Sequence, residues 1–279
     1  MPADLVYDIG MHRGHDSAFY LAKGYRVVAF EADPDHVAHA HERFAPEIAA
    51  GQMTIVAGAV TADGHGTVRF FRHSLDDAWG TVDETWVARN STRGESEAIE
   101  VPATDFAETL REHGIPWYMK IDIEGTDRVC LESLRQFDER PRYLSIESEK
   151  ARWATLLEEF DLLESLGYGR FAVVQQQGMD QREIVTTRLD GSPLTYRFEE
   201  ISSGPFGDDL GDAWGDRATA EAAYCRIFRD YRRFGDDSLM NRTRPTRVLR
   251  RALSTVLGRP LPGWYDTHVC LADSGPTAD

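Results

Sequence analysis

The stretch LVYDIGMHRGHDSAFYLAKGYRVVAFEAD, residues 5–33, decides the fold, because it predicts strand, glycine turn, helix and strand in that order. Residues 5–8 suit a short buried strand, two glycines loosen the turn, and residues 17–23 suit a short helix ending at Gly24. A second strand, residues 26–30, is followed by Glu31. An acid about 20 residues after the first glycine can accept two hydrogen bonds from a ribose diol, as in nucleotide-binding βαβ units.

The glycine turn has the spacing D-x-G-x-x-x-G, from Asp8 through Gly10 to Gly14. His12 stands where a dinucleotide-binding turn carries its middle glycine. A pyrophosphate needs close approach to the backbone at that glycine, whereas the thioether end and amino-acid tail of S-adenosylmethionine do not. The turn therefore favours S-adenosylmethionine over NAD.

Composition narrows the class of protein. A chain of 279 residues with 42% hydrophobic content can bury one sizeable core, and we expect one elaborated α/β domain. The formal charge of -16 argues against nucleic acid as a partner, because a nucleic-acid surface usually has a basic excess. No apolar run approaches the length of a membrane span and the start lacks the pattern of an export signal, so a cytoplasmic enzyme is expected.

The cysteines are also typical of a cytoplasmic enzyme. Cys130, Cys225 and Cys270 are scattered, odd in number and without C-x-x-C spacing. Neither a disulfide framework nor a zinc site is indicated, and we expect reduced thiols.

The chain after residue 33 continues the alternation of helix and strand. Asp33 and Pro34 predict a helix start, with Asp33 as N-cap and the helix running to about residue 44. Residues 54–60 predict a third strand, and residues 68–71 a hairpin extension of it. Ala59 and Val60 would then lie near the adenine. Residues 74–97 are polar and patternless, and predict either a loop that closes over a substrate or a plain surface loop.

A second informative stretch is WYMKIDIEGTD, residues 117–127, a buried strand that ends in acids and a glycine. Strand alternation places Lys120, Asp122 and Glu124 on one side. In an open parallel sheet, ligands bind beyond the carboxyl ends of the strands, so both acids should face the crevice beside Gly10 and Glu31. The alternative is structural: Asp122 pairs with Lys120, and Glu124 caps the next helix.

Residues 142–150 predict a fifth strand ending in Glu147 and Glu149, followed by a helix at 153–166 and a strand at 170–175. This order predicts a doubly wound α/β domain with a mostly parallel sheet and helices on both faces. An arginine-rich segment, residues 226–259, contains an amphipathic pattern at 247–257. This pattern suits a packing helix with a solvated arginine face, a membrane-surface or anion-binding helix, or a face for homodimerisation.

These motifs together resemble the FkbM family of S-adenosylmethionine-dependent methyltransferases, whose signature pairs a D-x-G-x-x-x-G turn with a K-I/V-D-x-E-G strand end. The two motifs are residues 8–14 and 120–125 here, and the E-A-D-P stretch, residues 31–34, resembles the family's acidic loop. The resemblance spans about residues 5–175. It implies a class I methyltransferase (Rossmann-like) fold and, usually, O-methylation of a hydroxyl on a sugar, glycolipid or polyketide.

The resemblance also implies site residues. We expect residues 1–200 to form the S-adenosylmethionine-binding domain and residues 201–279 a C-terminal extension packed on it. Asp8, Gly10 and Gly14 would form the cofactor turn, Glu31 would bind the ribose, and Asp122 with Glu124 would line the methyl-transfer crevice. The full set of expected cofactor-binding residues is Asp8, Gly10, Met11, His12, Gly14, Ser17, Glu31, Ala32, Ala59, Val60 and Asp122.

The chemistry predicted for the site is the removal of a hydroxyl proton. Asp122 or Glu124 is expected to act as general base, directly or by holding a divalent cation that acidifies the hydroxyl. His73 is the alternative base. A metal, if bound, would be held by Asp122, Glu124 and Glu147, all of which offer hard oxygen ligands.

The sequence thus favours an O-methyltransferase acting on a small-molecule, saccharide or polyketide-type acceptor, and on charge grounds a neutral hydroxyl-bearing one. An NAD-dependent oxidoreductase and a non-catalytic nucleoside-cofactor-binding protein are the alternatives. Residues 202–210 and 263–269 resemble stretches found in a subset of the family, and their glycines and acids predict ordered loops beside the site.

Overall fold

A seven-stranded sheet forms the centre of the molecule. The computed structural model describes residues 2–62, 64–73, 80–83, 87, 96–123, 125–148, 152–234, 254–255, 258, 261 and 263–272. The strands are β1 (Leu5–Ile9), β2 (Arg26–Glu31), β3 (Met53–Ala57), β4 (Ala59–Thr61), β5 (Thr67–His73), β6 (Ser96–Asp105), β7 (Tyr118–Ile121), β8 (Tyr143–Ile146), β9 (Tyr168–Gln175), β10 (Glu183–Thr187), β11 (Pro193–Arg197) and β12 (Tyr265–Leu271). The α-helices are α1 (His15–Ala22), α2 (Pro34–Arg43), α3 (Ala45–Ala49), α4 (Phe106–His113), α5 (Asp127–Leu134), α6 (Trp153–Ser165) and α7 (Arg217–Phe234).

The central sheet has the strand order β3-β2-β1-β7-β8-β12-β9. The pairs β2–β3, β1–β2, β1–β7 and β7–β8 are parallel, and β12 is antiparallel to both β8 and β9. The strand order reverses between β1 and β7, which is where open α/β sheets form their ligand crevice. The predicted doubly wound, mostly parallel α/β fold is confirmed.

Both faces of the sheet are covered by apolar side chains from helices. One face packs against α4, α5, α6 and α7, with Tyr7 and Met119 among the buried sheet residues. The other packs against α1 and α2, with Val6 and Tyr118 among the buried sheet residues. Alternate residues of β1 and β7 therefore lie in different cores, as the two-residue period of a strand requires. The polar residues of these strands share the face that carries α1.

The predicted third strand is two strands in different sheets. Residues 53–57 join the central sheet, whereas residues 59–61 pair with β6 in a three-stranded sheet of order β4-β6-β5. Gly58 separates them with a φ of 140°, and a Cβ there would lie 2.6 Å from the Pro102 carbonyl oxygen. The predicted hairpin is also wrong, because β5 pairs with β6 rather than with the strand before it. The predicted loop at 74–97 is wrong for residues 96 and 97, which begin β6, and most of that stretch lies outside the described residues.

The C-terminal strand β12 lies inside the central sheet, between β8 and β9. The prediction of an ordered loop at 263–269 is therefore wrong for residues 265–269, which are part of this strand. Asp266 and His268 are buried in this strand but polar, so they interrupt its apolar sequence pattern. The domain boundary after residue 200 stays a prediction.

The predicted basic helix at 247–257 lies outside the described residues except for 254 and 255, and its role as a dimer face stays a prediction. Among the helices of the described part of the chain, none has both the length and the apolar character needed to cross a membrane.

Candidate active site

The turn after β1 brings the ends of β1, β2 and β7 into contact. The Gly10 and Met11 amides both donate to the Phe30 carbonyl oxygen, at 3.1 and 2.9 Å. Gly10 has a φ of 84°, and a Cβ at this position would lie 1.8 Å from the Asp122 carbonyl oxygen. Only glycine fits there, because both the left-handed backbone and the close approach exclude a side chain.

Glu31 is fixed at the end of β2 by two backbone amides. The His12 amide donates to Oε2 at 2.7 Å, and the Asp33 amide donates to Oε1 at 2.8 Å. The His36 imidazole lies 3.9 Å from Oε1. The carboxylate is 8% exposed and lines a pocket, so it is oriented before any ligand arrives and retains lone pairs for further donors.

A pocket opens between this turn, the loop after β2 and the end of β7. Its described lining residues are Gly10, His12, Phe30, Glu31, Ala32, Asp33, His36, Gly58, Ala59, Val60, Phe70, Gly80, Thr81, Val82, Asp122, Ile123 and Thr126. Seven expected cofactor-binding residues are in this lining: Gly10, His12, Glu31, Ala32, Ala59, Val60 and Asp122. The lining thus combines three carboxylates, Glu31, Asp33 and Asp122, with apolar alanine, valine and phenylalanine side chains.

The other four expected cofactor-binding residues, Asp8, Met11, Gly14 and Ser17, are absent from the described lining. Asp8 is fully buried and accepts a hydrogen bond from Ser17 Oγ at 2.6 Å. Gly14 is the N-cap of α1, with a φ of 75°. These residues hold the turn and the first helix in place beneath the pocket.

Lys120 is the cation of a buried network that sequence reasoning only partly anticipated. Its Nζ lies 3.2 Å from Asp16 Oδ2, 3.3 Å from Asp122 Oδ2 and 3.7 Å from Asp8 Oδ1. The pairing of Lys120 with Asp122 agrees with the alternative that the sequence offers, in which these two side chains form an ion pair. Asp16 was missed, because an acid in the first turn of a helix usually has no role beyond favouring the helix dipole.

Burial and the charge of the ion-pair partner shift the pKa values in this network in opposite directions. Burial by itself lowers the pKa of Lys120, but Asp122, Asp16 and Asp8 together raise it well above its usual value. Burial raises the pKa of Asp8 to about 6, although Lys120 acts in the opposite direction. Lys120 is therefore charged, and it holds Asp122, whose side chain is 17% exposed, at the edge of the pocket.

His73, the predicted alternative base, lies at the end of β5 and lines a second, adjoining pocket rather than the described lining of the first. The two pockets share Asp33, His36 and Gly80. The geometry thus places Asp122 beside the first pocket and His73 beside the second, and their catalytic roles stay predictions.

Glu124 lies outside the described residues, so its predicted roles as base or metal ligand stay predictions. Glu147 follows the end of β8 and is partly exposed. Within the described part of the chain, no group of three histidine, cysteine or acidic side chains is arranged to hold a metal ion.

The segment at 202–210 packs against α1. The Ser203 amide donates to Asp16 Oδ1 at 2.8 Å, and Asp209 pairs with Lys23 at the other end of the helix. Between them, Phe206 stacks on Tyr118 with ring centroids 4.3 Å apart. The predicted loop is wrong for residues 207–210, which belong to a 3-10 helix, Gly207–Ala213. The segment holds the helix that follows the glycine turn.

Fold and pocket together define the class of protein. A doubly wound sheet with one antiparallel strand, β12, between β8 and β9, and a pocket at the switch point bearing the β2 acid, are those of a class I methyltransferase. The family model for the methyltransferase FkbM domain matches residues 8–169, more than half of the chain. The chain belongs to the FkbM methyltransferase family.

Several solved methyltransferase structures are similar to this chain. The methyltransferase FkbM from Methylobacillus flagellatus KT is 20% identical, over 60% of this chain and 39% of that one, with a TM-score of 0.38. The precorrin-6Y C5,15-methyltransferase from Geobacter metallireducens GS-15 is 14% identical, over 70% and 76% of the two chains, with a TM-score of 0.35. The C-terminal domain of the Rhodobacter capsulatus precorrin-6Y C5,15-methyltransferase is 10% identical, over 71% and 77%, with a TM-score of 0.37. No curated protein matches the chain.

Proposed function

We propose that the protein binds S-adenosylmethionine in the first pocket and transfers its methyl group to a hydroxyl of a small-molecule, saccharide or polyketide-type acceptor. The observation that carries this proposal is the position of Glu31. Its carboxylate is held by two amides at the end of β2 and lines a pocket that Asp122 also lines.

The residues present fit this cofactor. Glu31 is placed to accept hydrogen bonds from the ribose diol, and Ala59, Val60 and Phe70 offer an apolar wall for the adenine. Gly10 leaves room for the amino-acid tail because it has no side chain. When bound, the cofactor supplies an activated methyl group on a sulfonium.

The task left to the protein is positioning, together with removal of one proton. An acceptor oxygen held in line, about 3 Å from the methyl carbon, gains most of the rate from orientation. Asp122 is the acid at the edge of the pocket, and its Oδ2 is held by the buried Lys120 at 3.3 Å. We assign to Asp122 the orientation of the acceptor hydroxyl and the acceptance of its proton.

His12 argues against the nicotinamide alternative. It occupies the middle position of the turn with a φ of 53°, and its side chain lines the pocket. A pyrophosphate would need close approach to the backbone at that position, which a glycine allows and a histidine side chain obstructs.

The proposal is tested by calorimetric titration of the full chain with S-adenosylmethionine, S-adenosylhomocysteine and NAD. We expect the first two to bind and NAD not to bind. The variant Glu31→Gln should weaken binding by about tenfold to a hundredfold, because it removes charge-assisted hydrogen bonds. Glu42→Gln, on the exposed surface of α2, is the matched control and should bind as the wild type does.

If neither S-adenosylmethionine nor S-adenosylhomocysteine binds, the methyltransferase assignment is overturned. Binding of NAD alone would then favour an oxidoreductase, and binding of none of the three would favour a scaffold. With binding established, an acceptor screen read by product mass identifies the methylated atom. Transfer to carbon or nitrogen instead of oxygen would support methyltransferase activity but contradict the proposal of O-methylation.

A further inference from the structure

A second pocket adjoins the proposed cofactor pocket and is unusually rich in basic side chains. Its described lining has four of the chain's nine histidines and three arginines, against Asp33, Asp35 and Glu199. The two pockets share Asp33, His36 and Gly80, so a molecule in the second pocket would touch a wall of the first. This concentration stands out in a chain with a formal charge of -16.

Two basic side chains in this pocket approach one carboxylate. Arg43 Nη2 lies 2.5 Å from Glu199 Oε1, and His15 Nε2 lies 3.4 Å from Glu199 Oε2. Arg43 Nη1 also donates to the Arg13 carbonyl oxygen at 2.9 Å, and His15 Nδ1 lies 2.5 Å from the Glu200 carbonyl oxygen. Both side chains therefore also contact backbone carbonyl oxygens.

Glu199 is the more exposed member of this cluster. Its side chain is 46% exposed, against 22% for Arg43 and 16% for His15. Asp33, by contrast, is fixed because it caps α2 through the Asp35 amide and pairs with Arg72. A carboxylate on a long exposed side chain gains little from such a pairing and can leave it at small cost.

His15 is the first residue of α1, so this pocket lies next to the start of a helix, an environment that favours an oxyanion. The site thus has a guanidinium and an imidazole beside one exposed carboxylate.

We propose that this pocket is an acceptor subsite for an oxyanion, a phosphate or carboxylate group, and that Glu199 occupies the oxyanion's place until the acceptor binds. The inference rests on the proposed function, because the pocket leads to the wall shared with the cofactor site. It makes the acceptor a hydroxyl compound that carries one such group, which the local basic side chains attract despite the acidic remainder of the protein.

The test is titration of the full chain and of Glu199→Gln with inorganic phosphate and with acetate, at constant ionic strength set by chloride. We expect the variant to bind at least one of the two about tenfold more tightly than the wild type, because the competing carboxylate is gone. Adding Arg43→Met or, in a separate variant, His15→Leu to Glu199→Gln should abolish that gain. Thermal melting confirms that each variant is folded.

A gain with phosphate identifies a phosphoryl group, and a gain with acetate identifies a carboxylate. Equal affinity in wild type and Glu199→Gln for both ions would overturn the inference, as would a gain that survives both added substitutions. Titration with S-adenosylhomocysteine runs in parallel. If it binds while phosphate and acetate show no gain, only this inference fails; if it does not bind, the proposed function fails first.

Discussion

Lys120 Nζ lies 3.3 Å from Asp122 Oδ2, so the acid at the edge of the pocket is held by a buried cation. The same ammonium contacts Asp16 at 3.2 Å, and Asp16 in turn accepts a hydrogen bond from the Ser203 amide. The network thus joins the pocket to α1 and to the segment at 202–210. Because removing one partner of a buried ion pair leaves an uncompensated charge, these elements depend on one another.

The first prediction concerns Gly10. The substitution Gly10→Ala combines a strained left-handed backbone, which costs about 1–2 kcal/mol, with a Cβ placed 1.8 Å from the Asp122 carbonyl oxygen. We expect the free energy of unfolding, measured by urea denaturation, to fall by more than about 3 kcal/mol, because the end of β7 must also move.

Gly51→Ala is the matched control. Gly51 has a φ of 71°, but nothing lies within 4 Å of a Cβ there. We expect only the backbone strain, about 1 kcal/mol, and unchanged cofactor binding. Equal losses for the two variants would show that the contact between the turn and β7 is unimportant.

The second prediction concerns Asp8 and pH. Burial raises the pKa of Asp8 from 3.8 to about 6 in the folded protein. A carboxyl whose pKa is raised by folding stabilises the folded state most at low pH, and this contribution is lost as the pH rises from about 4 to about 6. Relative to Asp8→Asn, the wild type should therefore lose up to about 3 kcal/mol of unfolding free energy over that range.

The measurement is urea denaturation of both proteins at pH 4 and pH 7. Asp4→Asn is the control, because a hydrogen bond from Arg26 lowers the pKa of Asp4 below its usual value of 3.8. A lowered pKa changes stability mainly below that usual value, so the difference between the wild type and Asp4→Asn should be nearly the same at pH 4 and pH 7. A pH-independent difference for Asp8→Asn would mean that Lys120 fully offsets the burial.

Sequence reasoning located the elements that carry a strong local pattern. The N-cap Asp33, Pro34 at the helix start and the acid after β2 follow from short-range chemistry, and the structure has α2 starting at Pro34 with Asp33 as its cap. The position of β12 could not be found in this way, because Asp266 and His268 interrupt its apolar run and its partners, β8 and β9, are distant in the chain. Patterns within one segment do not specify which strands pair.

Some residues of the site can likewise be predicted from local sequence patterns, and others cannot. Gly10, Glu31 and Asp122 lie at the ends of three strands, and the motif spacing was enough to bring them together. His36, Phe70 and Thr81 also line the pocket, but they come from a helix, a strand of the smaller sheet and the region after it. Only tertiary packing brings these residues to the site, so no spacing rule could have identified them.

The third prediction concerns the C-terminal extension. β12 pairs with β8 on one side and β9 on the other, and Val269 and Cys270 are fully buried in the two cores. A chain ending at residue 200 would leave both neighbouring strands with an open edge. We expect residues 1–200 alone to show no cooperative unfolding by circular dichroism, whereas residues 1–272 should unfold cooperatively. A cooperative transition in the shorter chain would establish residues 1–200 as an independent domain.

The last prediction concerns Asp122 in turnover. Asp122→Asn preserves the shape of the side chain but removes the charge that accepts a proton, and a positioned base typically contributes 10² to 10⁴-fold. We expect kcat with an acceptor found by product mass to fall by about that factor, while the affinity for S-adenosylhomocysteine changes by less than about threefold. His73→Gln, measured beside it, separates the two candidate bases. If His73→Gln shows the large loss and Asp122→Asn does not, the base lies in the second pocket and Asp122 serves the network around Lys120 alone.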